Sequence, residues 1–166
     1  MKHFTLLFIL ISMFGFKSFG QTNKSNLKPS KKETQTWISN NIASHPFISD
    51  GGDIKHDYGI SFDEISLIFR DVFYYNGKTK NYETKFNVSD IDSVFWEDKK
   101  FNVWFTIVLK PEKKELVFCD DEKRPSYGKI EILLSKTFLE NDLPNRMVKA
   151  FNRLVETYNV KGKDTF

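Results

Sequence analysis

The stretch from about Asn141 to Tyr158 constrains this chain more than any other. Leu143, Met147, Ala150, Phe151, Leu154 and Tyr158 recur along it at the spacing of one helix face. Val148 and Val155 widen the stripe, and Arg146, Lys149, Asn152, Arg153 and Glu156 fill the other side. Asn141 or Asp142 is placed to cap the start, and Pro144 sits in the first turn, where a missing N–H costs nothing. Such a helix is not stable alone in water, because its apolar stripe needs a partner surface. The rest of the chain must supply that surface.

Most of the remainder reads as strands. Asn76-Gly77 separates the apolar run Ile65 to Tyr75 from an alternating run in which Tyr82, Thr84, Phe86 and Val88 oppose Glu83, Lys85 and Asn87. Asn-Gly between two such runs predicts a hairpin, because a type I′ turn needs positive φ at both central residues. Short strands are also expected at Ile60 to Phe62, Ile91 to Trp96, Leu116 to Cys119 and Tyr127 to Leu134. Phe101, Val103, Phe105, Ile107 and Leu109 alternate through another, with Trp104 on the opposite parity. Ser30 and Glu33 have capping-box spacing ahead of a short helix that carries Trp37, Ile38 and Ile42 and stops at His45-Pro46. Phe47 to Asp57 and the charged Asp120 to Ser126 read as loops. The expected fold class is α+β: about seven short strands in an antiparallel sheet, sandwich or barrel, a short N-terminal helix and a long C-terminal capping helix.

Residues 1–20 have the layout of a secretory signal peptide: a short polar start, an apolar run from Phe4 to Phe16, and small residues at Ser18 and Gly20. The apolar run is shorter than the roughly 20 residues a membrane anchor needs, so no anchor is expected after cleavage. Residues 21–29 read as a flexible tether, residues 30–160 as a single α+β domain and residues 161–166 as a tail. The expectation is an exported bacterial domain, periplasmic or extracellular. Removing residues 1–20 takes away Lys2 and Lys17 and no acid, leaving 23 basic against 22 acidic residues. So balanced a chain does not concentrate the positive charge that nucleic acid requires. The one cysteine, Cys119, excludes an internal disulfide and is expected to be buried in a strand.

Four constellations could carry chemistry. Asp50, Asp53, His56 and Asp57 crowd oxygen and imidazole ligands into one Gly-containing loop, a possible cation site whose spacing matches neither an EF-hand nor a zinc motif. Asp120, Asp121 and Glu122 are adjacent, so they point in different directions rather than across a cleft. Cys119 with His45 or His56 is the only Cys–His pairing open to a nucleophilic mechanism. Trp37, Trp96 and Trp104 are candidate ligand or partner contacts; Trp104 faces away from the core by parity, either beneath the N-terminal helix with Trp37 or into a partner. No cofactor motif is present. The leading expectation is a non-catalytic module for a protein or a small apolar ligand. The alternatives are a carrier with an apolar ligand in a barrel cavity, and a small metal-dependent or Cys hydrolase.

The order of strands and helix, with the segment Phe86-Asn87-Val88-Ser89-Asp90-Ile91 entering a strand, resembles the pleckstrin-homology-like superfold. That resemblance covers about Ile60 to Tyr158 and implies a seven-strand bent barrel capped by the final helix. Leu143-Pro144-Asn145-Arg146-Met147 also resembles the Leu-Pro-x-Arg-Met helix start of small exported bacterial proteins. Lipid-binding members of the superfold hold inositol phosphates on a basic first hairpin loop; here that region has Lys78, Lys80 and Lys85 and no Arg.

Overall fold

Ser30 opens the first helix as its spacing to Glu33 predicts. The computed structural model describes residues 28–113, 116–119, 122–125 and 128–161, the two short strand segments among them by backbone alone. The expected leader lies outside these residues, as do most of the tether and the tail. Helix α1 spans Lys31–Ala43. The Ser30 hydroxyl accepts from the Glu33 N–H at 3.2 Å, and the Glu33 carboxylate accepts from the Ser30 N–H at 2.7 Å. Two otherwise orphaned helix donors are thereby satisfied. Ile38 and Ile42 are fully buried on its inner side.

The chain then forms two antiparallel sheets. In the first, β1 (Phe47–Ile48), β2 (Ile54–Phe62), β3 (Ser66–Tyr75) and β4 (Lys78–Asn87) run in order, followed by β7 (Leu116–Cys119) and β8 (Glu122–Pro125). The second contains β5 (Ile91–Asp98), β6 (Val103–Leu109) and β9 (Lys129–Leu134), with β6 in the centre. A 3-10 turn at Val88–Asp90 carries the chain between them. Asn76 and Gly77 adopt φ of 47° and 73°, as a type I′ turn requires.

The seven strands expected from alternation correspond to β2, β3, β4, β5, β6, β7 and β9. The α+β class holds, but the two sheets do not close into a barrel. Instead the chain leaves the second sheet after β6, β7 pairs with β4 in the first, and β9 returns to pair with β6. Three local readings are corrected. The stretch Phe47 to Asp57 is not one loop, since β1 pairs with the first half of β2. The charged stretch after Cys119 contains β8, paired with β7. Phe101 precedes β6 in a turn and is 61% exposed, with the Lys100 ammonium 4.8 Å from its ring.

Helix α2 (Leu143–Lys161) finds its partner surface on β5, the Val88–Asp90 turn and α1. Leu143, Met147, Phe151 and Leu154 are buried there. The Phe105 ring of β6 lies 5.7 Å from Phe151 and 6.0 Å from Phe138. Neither expected cap takes that role by side chain. Asn141 and Asp142 are in the left-handed region at φ 54° and 57°, and the Asp142 carboxylate accepts from the Asn145 amide at 2.6 Å. One buried cluster joins both sheets and both helices. A polar link crosses it: the Leu133 N–H of β9 donates to the Tyr58 hydroxyl of β2 at 3.2 Å.

Candidate functional site

Strand register sorts the side chains onto faces. On the inner face of the first sheet, Ile60, Phe69 and Thr84 form one row and Tyr58, Asp71 and Tyr82 the next, with Cys119 at the same register position on β7. The outer face of that sheet is wet and ion-paired. Arg70 donates to Glu83 at 2.7 Å, Lys55 lies 2.7 Å from Asp57, and Lys85 lies 2.7 Å from Asp63. The Asp57 bond raises the Lys55 pKa above its ordinary value.

The proposed cation loop is taken apart by this register. Asp50 and Asp53 flank the exposed turn before β2. Asp57 faces outward to Lys55. His56 faces inward, where its Nδ1 reaches both Asp71 oxygens at 3.0 and 2.9 Å. Among the described residues, no three His, Cys, Asp or Glu side chains gather as a metal-holding group. The carboxylate only accepts, so Nδ1 carries the proton in this bond. Rings enclose the imidazole: Phe73 at 4.7 Å, Tyr58 at 5.5 Å and Phe47 at 6.3 Å. Burial first, then the Asp71 charge, pushes the Tyr58 hydroxyl above the ordinary tyrosine range. Asp71 was not singled out by the sequence reading. Its signal was there: it falls on the same parity as Leu67, Phe69 and Phe73, a carboxylate on a core-facing row.

The Cys–His pairing does not form on β2. His56 and Cys119 lie on strands separated by β3 and β4 and two register positions apart, so their backbones are roughly 16 Å apart. The predicted burial of the Cys119 side chain, and the positions of Asp120 and Asp121, lie outside the described residues. His45 sits elsewhere, its ring edge-on to Phe138 at 5.4 Å.

The three tryptophans have separate environments. Trp96 is half-buried against the core, and its indole N–H donates to the Asn145 side chain at 3.0 Å. Trp37 is also half-buried, with the Arg146 guanidinium 5.3 Å from its ring. Trp104 stands on the outer face of the second sheet, in a row with Glu97 and Leu133. Helix α1 packs on β2 and α2, so Trp104 does not lie beneath it with Trp37. Phe95, 43% exposed, and Val108 share this outer face. The Lys99 ammonium is 5.7 Å from the Trp104 ring.

Between α1 and α2 runs a groove of about 480 Å³, lined by Pro29, Trp37 and Ala150, with Arg146, Lys149 and Arg153 along one side. The periodicity of α2 puts those cations on its solvent side, but that Trp37 faces them depends on how α1 packs against α2. Among the described residues, no helix is long and apolar enough to cross a membrane. No family model matches the chain, and no curated protein or solved structure matches it.

Proposed function

We propose that this chain is a non-catalytic interaction domain that presents the outer face of its three-stranded sheet to a protein partner. One observation carries the reading: the outer face of the second sheet groups large apolar side chains inside a charged rim. The first sheet covers its outer face with ion pairs from Lys55, Arg70 and Lys85. The second has ion pairs too, Lys129 with Glu131 and Lys99 with Glu97, but they border Phe95, Trp104, Val108 and Leu133, with Thr106 buried among them. Contiguous outward apolar side chains on one sheet mark an interaction face more often than single exposed ones do, and Trp and Phe are the side chains that anchor interfaces.

The carrier alternative has less support, because the space between the sheets is filled by Phe105, Phe138 and Phe151. The hydrolase alternative has less support as well, because among the described residues the His56 ring hydrogen-bonds to the Asp71 carboxylate and not to a hydroxyl or thiol. Export through residues 1–20 belongs to the same proposal, and so does kinship with the pleckstrin-homology-like layout, which two antiparallel sheets followed by a terminal helix support.

The test is photo-crosslinking in the native host, with benzoylphenylalanine at Phe95 or, as control, at Arg70. The expected result is one reproducible adduct at Phe95, absent at Arg70 and lost in the Trp104→Ser variant. Light scattering of the purified chain separates a second copy from a different protein. Equal labelling at both positions would remove the face from consideration. N-terminal sequencing of protein recovered from the envelope is expected to begin at Gln21; an intact Met1 would refute the export part.

A further inference from the structure

The groove between the helices is independent of that sheet face and has its own chemistry. We infer that it is a binding site for a small organic anion with a flat apolar body, such as an aromatic carboxylate or sulfonate. Arg146, Lys149 and Arg153 recur at i, i+3 and i+7, so α2 aligns them on one stripe. The rest of the lining is mainly apolar: the Trp37 indole and the Pro29 ring across the groove and Ala150 on α2 itself, with Thr34 the one further polar side chain. The volume of about 480 Å³ is that of a pocket for one small molecule.

The charges lining the groove do not cancel. Three cations meet one carboxylate, Glu33. That carboxylate is already committed to the helix cap, where the Ser30 N–H holds its pKa below the usual value. Among the described residues, neither Arg146 nor Lys149 has a carboxylate partner. The Arg146 guanidinium lies over the Trp37 ring instead, and Arg153 donates one N–H to the Pro29 carbonyl. Arg153 keeps further donors for an anion, because a guanidinium carries five.

The chain's own N-terminal segment is a poor occupant. Residues 21–28 contain Lys24 and Lys28 and no acid, so they would add cations to a cationic rim. An external anion removes the excess, and its apolar body covers Trp37. Both features are needed together. A bare anion would leave the indole uncovered, and a neutral aromatic would leave the cations unpaired.

The experiment follows the three indole N–H resonances of the full domain by nitrogen-edited NMR during titration with 2-naphthoate. A saturable shift of the Trp37 signal is expected, with Trp96 and Trp104 unmoved. Neutral 2-naphthamide should bind at least about tenfold more weakly, the loss of one charge-assisted hydrogen bond. The exposed changes Arg146→Gln and Lys149→Gln, made together, should weaken naphthoate about tenfold or more while the other two indole signals stay in place, which reports an intact fold. Equal binding of naphthoate and naphthamide would overturn the inference. So would a Trp37 shift produced only by phosphatidylglycerol vesicles, or only by an acidic peptide. Naphthoate that moves Trp104 instead of Trp37 would overturn it too, and would not touch the crosslinking test of the sheet face.

Discussion

Phe151 has no exposed surface, and its ring meets Phe105 at 5.7 Å. Replacing it with Ala removes an aromatic ring from a site walled by both a sheet and a helix, so little collapse can fill the space. Phe151→Ala is expected to cost about 3–5 kcal/mol, read as a lower urea midpoint at unchanged slope. A loss below about 1 kcal/mol would mean that the α2 stripe is not what closes the core. Asp63 makes a second prediction at this scale. The Lys85 ammonium, then the Ser66 N–H at 2.6 Å, hold its carboxyl down to about 2. A carboxyl depressed in the folded state stabilises the fold above its unfolded pKa, and that contribution fades as pH falls through the folded value. The relevant window is therefore from about pH 4 down to about 2. Lys85→Met should raise the Asp63 midpoint in a carboxyl NMR titration. The rise should stop short of the ordinary range, because the Ser66 and Ile65 N–H groups still donate. An unmoved midpoint would show that the backbone donors alone set it. Phe151 was legible in the sequence because helix periodicity names its own inward residues. The His56–Asp71 pair was not, because a contact between residues 15 apart depends on strand register rather than on spacing.

The hairpin of β3 and β4 is the element most completely written in the sequence. Alternation sets its faces, and Asn76-Gly77 sets its turn. Both central residues have positive φ, and a Cβ added at Gly77 would meet nothing within 4 Å. Gly77→Ala therefore has no clash to resolve, only the left-handed backbone of an L residue, which costs about 1–2 kcal/mol. Equilibrium unfolding of that variant checks the value; Gly77→Asn should lose less, because Asn tolerates this conformation. Unchanged stability in Gly77→Ala would show that the hairpin end contributes nothing to the folding equilibrium. Other elements were less legible for a physical reason. The first half of β2 alternates Lys55 and Asp57 with His56 and Tyr58, a pattern too polar to stand out from a loop, and it is a strand because β1 and β3 pair with it. The partner of β7 was invisible altogether. Local pattern says that a strand exists, but pairing with β4 in place of β6 is decided by which edge is open when the chain returns.

Across the whole molecule, burial runs in a gradient. Val103, Phe105 and Ile107 at the centre of β6 are fully buried, flanked by β5 and β9 and joined to the Phe151 and Phe138 rings. At the far end of the first sheet, Tyr74 and Tyr75 are exposed, and the inner row His56, Phe73 and Lys80 extends past the closed core. Local openings begin where few buried contacts are lost, so hydrogen exchange should map this gradient. Backbone amides of Phe105 and Ile107 are expected to exchange only through global unfolding, with a denaturant dependence equal to the equilibrium slope. Amides of Tyr75, Lys78 and Thr79 should exchange through openings that denaturant barely affects. The His56–Asp71 pair lies between these limits, where a part-buried polar contact limits how far the end of the sheet can fray. Asp71→Asn keeps the shape of that contact and removes its charge, so exchange should speed up in β2 and β3 near His56 while β6 stays protected. If β6 and the hairpin tip slow and quicken together in every variant, the two sheets open as one unit. The gradient in burial would then not be a gradient in stability.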